Sequence, residues 1–156
     1  MTGSLFYVEG SKLLLPEAFR FVFDRELIRA FRLQNFLTLV VIEASRQLGG
    51  KMALADDATM QEIAQLIGRE VREVDPLGRA DRGVLGIVLM DADYEHAMHV
   101  INRIVVRIDN YEFPAALQIA ISAACYPTHA VDAESLKRQA MARPIVRRGG
   151  NQSPAN

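Results

Sequence analysis

The run Phe36-Leu37-Thr38-Leu39-Val40-Val41-Ile42 constrains this chain more than any other stretch. It is rich in β-branched residues, which fit a pleated surface, and it offers no polar face to water. A surface helix needs such a face. The pattern therefore predicts a central strand, buried on both sides and ending at Glu43. A strand of that kind needs a layer packed on each side of its sheet.

The flanking residues supply those layers. From Pro16 onward, Phe19, Val22, Phe23, Leu27, Ala30 and Phe31 recur at helical spacing, with Glu17 near the start and Arg29 and Arg32 near the end, as a helix dipole favours. Asn35 breaks that helix. After a loop containing Gly49-Gly50, the pair Asp56-Asp57 caps a second helix whose buried face is Met60, Ile63, Ala64, Ile67, Val71 and Val74. Asp75-Pro76 stops it, because proline disfavours a helical residue before it.

Segments around Leu77 to Ala80 and Leu85 to Met90, separated by Asp81-Arg82-Gly83-Val84, read as a β-hairpin. Asp91 to Asp93 cap a third helix that buries Ala97, Ile101, Ile104 and Val105. A strand from Leu117 to Ser122 follows. Beyond Tyr126-Pro127, a last helix from Asp132 to about Ala142 ends at Arg143-Pro144. The predicted class is α+β with a ferredoxin-like core, a mainly antiparallel sheet of four or five strands flanked by helices.

With 156 residues, 50% of them hydrophobic, the chain can bury one good core and not two. One domain over residues 1–148 is expected, with residues 149–156 a disordered tail by composition. The formal net charge of -1 provides no field for nucleic acid or an anionic membrane, so an anionic ligand needs a local cluster. Arg147-Arg148 is too short a basic patch for either partner.

Cys125, the single cysteine, reads as a buried thiol in a reducing compartment. No stretch approaches the roughly 20 apolar residues of a spanning helix, and a secretory signal is not evident. A cytoplasmic protein, or a soluble domain of a longer one, is expected, without membrane insertion. His96 and His99 near Asp91, Asp93 and Glu95 lack a third ligand fixed by the pattern, so no metal site is assigned, and His129 reads as exposed.

Several local patterns, in order across roughly residues 11–151, resemble GGDEF (diguanylate cyclase) domains. Residues 25–32 resemble the family's first-helix pattern, and Glu43 falls at its first metal-binding acid. Asp57 falls at the last Asp of its Gly-His-x-x-Gly-Asp loop, though here it reads as a helix cap. The stretch from Arg72 to Ala80 resembles the R-x-x-D-x-x-x-R run that leads into the signature turn. Ile121 to Pro127 and Leu136 to Ala140 resemble its late strand and last helix.

That resemblance implies a nucleotide-cyclase-like core and a lost activity. The family condenses two GTP molecules with metal ions held by carboxylates. Its signature falls on Asp81, Arg82, Gly83, Val84 and Leu85, which puts Gly83 and Val84 where the two acids belong. Neither side chain can bind a metal or handle a proton. Arg82 replaces a glycine, Ser45 a second strand-end acid, and the family's Phe-Lys and Asn-Asp residues are missing. Glu43 reads as the partner of a neighbouring arginine. No catalytic residue, metal or cofactor is expected.

The resemblance also implies a ligand. The R-x-x-D before the signature binds the product, cyclic di-GMP, at an inhibitory site; here it is Arg72 and Asp75, with Arg103 standing where the family carries a further arginine. A guanidinium can grip guanine O6 and N7 or a phosphate, while a carboxylate accepts from guanine N1–H and N2–H. Arg79 reads as structural. The expectation is a non-catalytic receptor for cyclic di-GMP, with a ligand-linked homodimer or a partner signalling domain. The alternative is a nucleotide-independent dimerisation or protein-interaction module.

Overall fold

The computed structural model describes residues 6–114, 116–142 and 144–149. In chain order the elements are α1 (Pro16–Leu33), β1 (Leu37–Leu48), β2 (Lys51–Leu54), α2 (Asp57–Ile67), a 3-10 turn (Gly68–Glu70), β3 (Leu77–Asp81), β4 (Val84–Met90), α3 (Tyr94–Asp109), β5 (Leu117–Tyr126), α4 (Ala133–Ala142) and β6 (Pro144–Gly149). The strands form one sheet in the order β3-β4-β1-β5-β6, with β2 paired to β1 and every neighbouring pair antiparallel. This is the α+β architecture that the sequence predicts.

β1 lies at the centre, and its alternation explains its composition. Leu37, Leu39 and Val41 join Phe19, Phe23, Leu27 and Ala30 of α1 and Leu136 and Ala140 of α4 on one face. Val40, Ile42 and Ala44 join Met60, Ile63 and Ile67 of α2 and Ala97, Ile101 and Ile104 of α3 on the other. With a helix layer on both sides, successive side chains of one strand are both buried.

Three caps follow one rule. Asp56, Asp93 and Asp132 each accept a bond from the backbone N–H three residues on, at Thr59 (2.9 Å), His96 (2.9 Å) and Ser135 (2.8 Å). Each satisfies an amide that has no partner within its own helix. α1 instead starts with Pro16 and ends at Gln34, whose positive φ of 56° lets the Asn35 N–H reach the Ala30 carbonyl at 2.9 Å. The break therefore falls at Gln34 rather than at Asn35.

The structure corrects several expectations. β1 runs five residues beyond Glu43 and turns through Gly49-Gly50, both at positive φ, into β2, so the supposed loop is a hairpin. α2 ends at Ile67; Val71 is half-buried outside the helix and Val74 is 67% exposed. Phe31 is 69% exposed, on the outer side of α1 rather than in the core. β5 continues to Tyr126. Gly149, assigned to the tail, pairs with Gln118 in β6, an edge strand on which Pro144 and the exposed arginines are tolerated. The rest of the tail, residues 150–156, lies outside the described residues, as do residues 1–5, 115 and 143.

Candidate ligand site

Residues 72–75 form a tight turn rather than the end of a helix. The Asp75 N–H donates to the Arg72 carbonyl at 2.9 Å. The Asp75 carboxylate then takes four donors: the Arg72 N–H (3.0 Å) and Nε (3.2 Å) on Oδ2, and Arg72 Nη2 (3.1 Å) and the Met90 N–H (3.0 Å) on Oδ1. Arg72 Nη2 also donates to the Met90 carbonyl. The turn is thereby fastened to the end of β4.

The Asp75 side chain is only 3% exposed and that of Arg72 58%. A buried carboxylate with every lone-pair direction filled is satisfied, and it holds the guanidinium in one orientation. Its hydrogen bond also pushes the Arg72 guanidinium above its ordinary value. Arg72 Nη1 is left with no protein partner among the described residues. Guanine N1–H, by contrast, reaches Asp75 only by displacing a donor already in place.

Arg103 is held elsewhere. Its Nε donates to Glu70 Oε1 at 3.2 Å and its Nη2 to the Glu70 carbonyl at 3.1 Å. Arg107, one turn further along α3, donates to Glu70 Oε2 at 2.7 Å. The hydrogen bond from Arg107 holds the Glu70 carboxyl below the usual range, with Arg103 adding to it. Glu70 stands two residues before Arg72, so Arg103 is tied to the segment that feeds the turn but bonds neither Arg72 nor Asp75. A cavity of about 840 Å³ is lined by Arg69, Arg72, Asp75, Leu77 and the facing Lys12 and Leu14, and Arg103 does not line it.

At the other end of the hairpin, Arg82 and Gly83 make a two-residue turn, with Gly83 at φ 68°. A Cβ on Gly83 would stand 3.0 Å from Leu54 Cβ and 3.1 Å from the Ala44 carbonyl. Val84 is buried in the cluster with α1 and α4, Leu85 in the other, and Asp81 and Arg82 are exposed. Glu43 is exposed and pairs across the sheet with Val84 and Ala120. It lies in mid-strand and makes no ion pair among the described residues, which corrects the expected arginine partner. Among those residues no three His, Cys, Asp or Glu side chains are grouped to hold a metal ion.

Asp57 does not cap α2, a task that falls to Asp56. It accepts from Arg79 Nη2 at 2.8 Å, and Arg79 is 9% exposed, with a buried Nε that has no partner among the described residues. His96 bonds Asp93 through Nδ1 at 2.6 Å. His129 is exposed, yet its Nδ1 accepts the Cys125 N–H at 2.8 Å and its ring meets Tyr94 edge-on. Sequence reasoning missed Glu70 and Arg107. The i,i+4 spacing of Arg103 and Arg107 was the available signal, and nothing in the pattern pointed to Glu70 as their counter-ion.

The sequence matches no family model and no curated protein. Its fold does match solved structures. The GGDEF domain of DgcB from Caulobacter crescentus, in complex with c-di-GMP, superposes with a TM-score of 0.72 at 14% identity, over 91% of this chain and 89% of that one. The GGDEF domain of YfiN (TpbB) from Pseudomonas aeruginosa gives 0.69 at 22%, over 82% and 85%. A DGC protein from Thermotoga maritima gives 0.68 at 16%, over 81% and 91%. The chain has the fold of GGDEF domains, an open antiparallel sheet flanked by helices. No helix of the described residues is long and apolar enough to cross a membrane.

Proposed function

We propose that this is a degenerate GGDEF domain that binds cyclic di-GMP without making it, using Arg72, Asp75 and Arg103. The observation that carries the reading is the buried Asp75 carboxylate, which fixes the Arg72 guanidinium through Nε and Nη2 while Nη1 has no protein partner among the described residues. In this arrangement Arg72 is the group that touches the ligand, through a guanine O6/N7 edge or a phosphate oxygen. Asp75 orients it, and Arg103, tied to Glu70 two residues before Arg72, is the further arginine of the reading.

The c-di-GMP complex of the similarly folded DgcB domain supports this choice of ligand. The absence of side-chain oxygens at Gly83 and Val84 supports a non-catalytic role, because triphosphate chemistry needs metal ions and carboxylates to hold them. Calorimetric titration with cyclic di-GMP tests the reading: the wild type binds, and Arg72→Ala loses the heat signal while staying folded.

A second reading, docking without nucleotide, draws on the outer face of α1. There Phe21 and Ile28 are 63% and 52% exposed, and Arg25 stacks over the Phe21 ring at 5.7 Å. It predicts a thermal midpoint that cyclic di-GMP does not move.

A further inference from the structure

Arg103 and Arg107 lie four residues apart on α3, on one face and within reach of each other. Two like charges at that spacing repel, and a single carboxylate bridges them, offsetting one of the two charges. Glu70 accepts from Arg103 on Oε1 and from Arg107 on Oε2, and its side chain is 13% exposed, against 54% and 44% for the arginines. The arginines can be reached from solvent, and the anion between them is mostly enclosed.

The position of Glu70 matters as much as its charge. It closes the 3-10 turn after α2, and two residues of chain span no more than about 7 Å between it and Arg72. Glu70 and Arg72 thus belong to one short segment, although neither Glu70 nor its two arginines line the cavity beside Arg72. Arg103 carries a further tie to the Glu70 carbonyl at 3.1 Å, which keeps it turned toward the 3-10 segment.

We propose that Glu70 is an internal anion occupying the Arg103–Arg107 pair in the unliganded domain, and that a ligand phosphate replaces it, with Arg107 a further ligand residue. The proposal rests on the cyclic di-GMP reading and adds to it a competitor within the chain and a second arginine. Binding exchanges one anion for another at the pair, so the net gain at Arg103 is small while Glu70 is present. Removing the charge of Glu70 leaves two cations with no counter-ion, and the ligand then meets no competition.

Titration of cyclic di-GMP into the wild type, Glu70→Gln, Arg107→Ala and Arg72→Ala tests this, with circular dichroism confirming that each is folded. Glu70→Gln is expected to bind about two- to fivefold more tightly than the wild type, the range for releasing a partly exposed ion pair. In an Arg107→Ala background that gain is expected to shrink, and Arg107→Ala alone to bind more weakly than the wild type. A merely structural role for Glu70 would give equal or weaker binding. If Glu70→Gln gains nothing while Arg72→Ala abolishes binding, the internal-anion proposal is overturned and the receptor reading stands. If neither the wild type nor Glu70→Gln binds, both are overturned. Should Glu70→Gln not fold, Arg107→Ala decides, and wild-type affinity in that variant overturns the proposal.

Discussion

The ring of Phe19 lies against the backbone of Gly86, so close that a Cβ at Gly86 would stand 2.5 Å from Cζ and 2.6 Å from Cε2. Gly78, the cross-strand partner of Gly86, meets the same ring, with a Cβ there 2.7 Å from Cδ1. Through this contact α1 rests directly on the hairpin that carries the candidate site at its base. Gly86→Ala is therefore expected to destabilise the domain by about 1–3 kcal/mol, the usual cost of overpacking a filled core. Urea denaturation measures it. In a Phe19→Leu background the added cost should be smaller, because the two positions share one contact.

The three capping aspartates set the response to acid. Hydrogen bonds from Thr59, His96 and Ser135 hold the carboxyls of Asp56, Asp93 and Asp132 below the usual range. A folded-state value below the unfolded one means that the contribution is complete above the ordinary aspartate value of about 3.9 and is lost as pH falls through the folded value. Asparagine caps nearly as well but does not titrate in this range. The triple variant Asp56→Asn, Asp93→Asn, Asp132→Asn is expected to show a flatter dependence of stability on pH between about 5 and 3 than the wild type, in denaturant melts across that range.

Acids introduced at Gly83 and Val84 are not expected to confer cyclase chemistry. Val84 is buried among apolar side chains of α1 and α4, so Val84→Glu places a carboxylate in an apolar cluster at a cost of at least about 2 kcal/mol. Gly83→Glu adds a side chain at positive φ, with its Cβ 3.0 Å from Leu54. The double variant is expected to melt at lower temperature and to form no cyclic di-GMP from GTP and Mg²⁺, by chromatographic product analysis. Product formation would refute the view that the whole turn has diverged.

What the sequence made legible follows from how local the signals are. The apolar run at the centre, the aspartate caps and Gly83 of the β3–β4 turn each encode their structure within a few residues, although the central strand continues past Glu43 to Leu48. The β1–β2 hairpin escaped because its strands are short, partly exposed and mixed in polarity, although Gly49-Gly50 marked the turn. β6 escaped because a short edge strand that starts at a proline and carries exposed arginines shows no alternating apolar pattern, so the pattern places no element on residues 144–148. At the site, Arg72 and Asp75 meet because they are three residues apart in one turn. The ties of Arg103 to Glu70 and of Arg79 to Asp57 span 33 and 22 residues, and no local pattern encodes such contacts.

The most direct measurement is a calorimetric titration of cyclic di-GMP into the folded domain beside Arg72→Ala. Saturable binding with a dissociation constant on the order of 10 µM or tighter, lost in the variant, is the predicted result. No heat at ligand concentrations up to about 100 µM, or equal affinity in Arg72→Ala, would contradict the account.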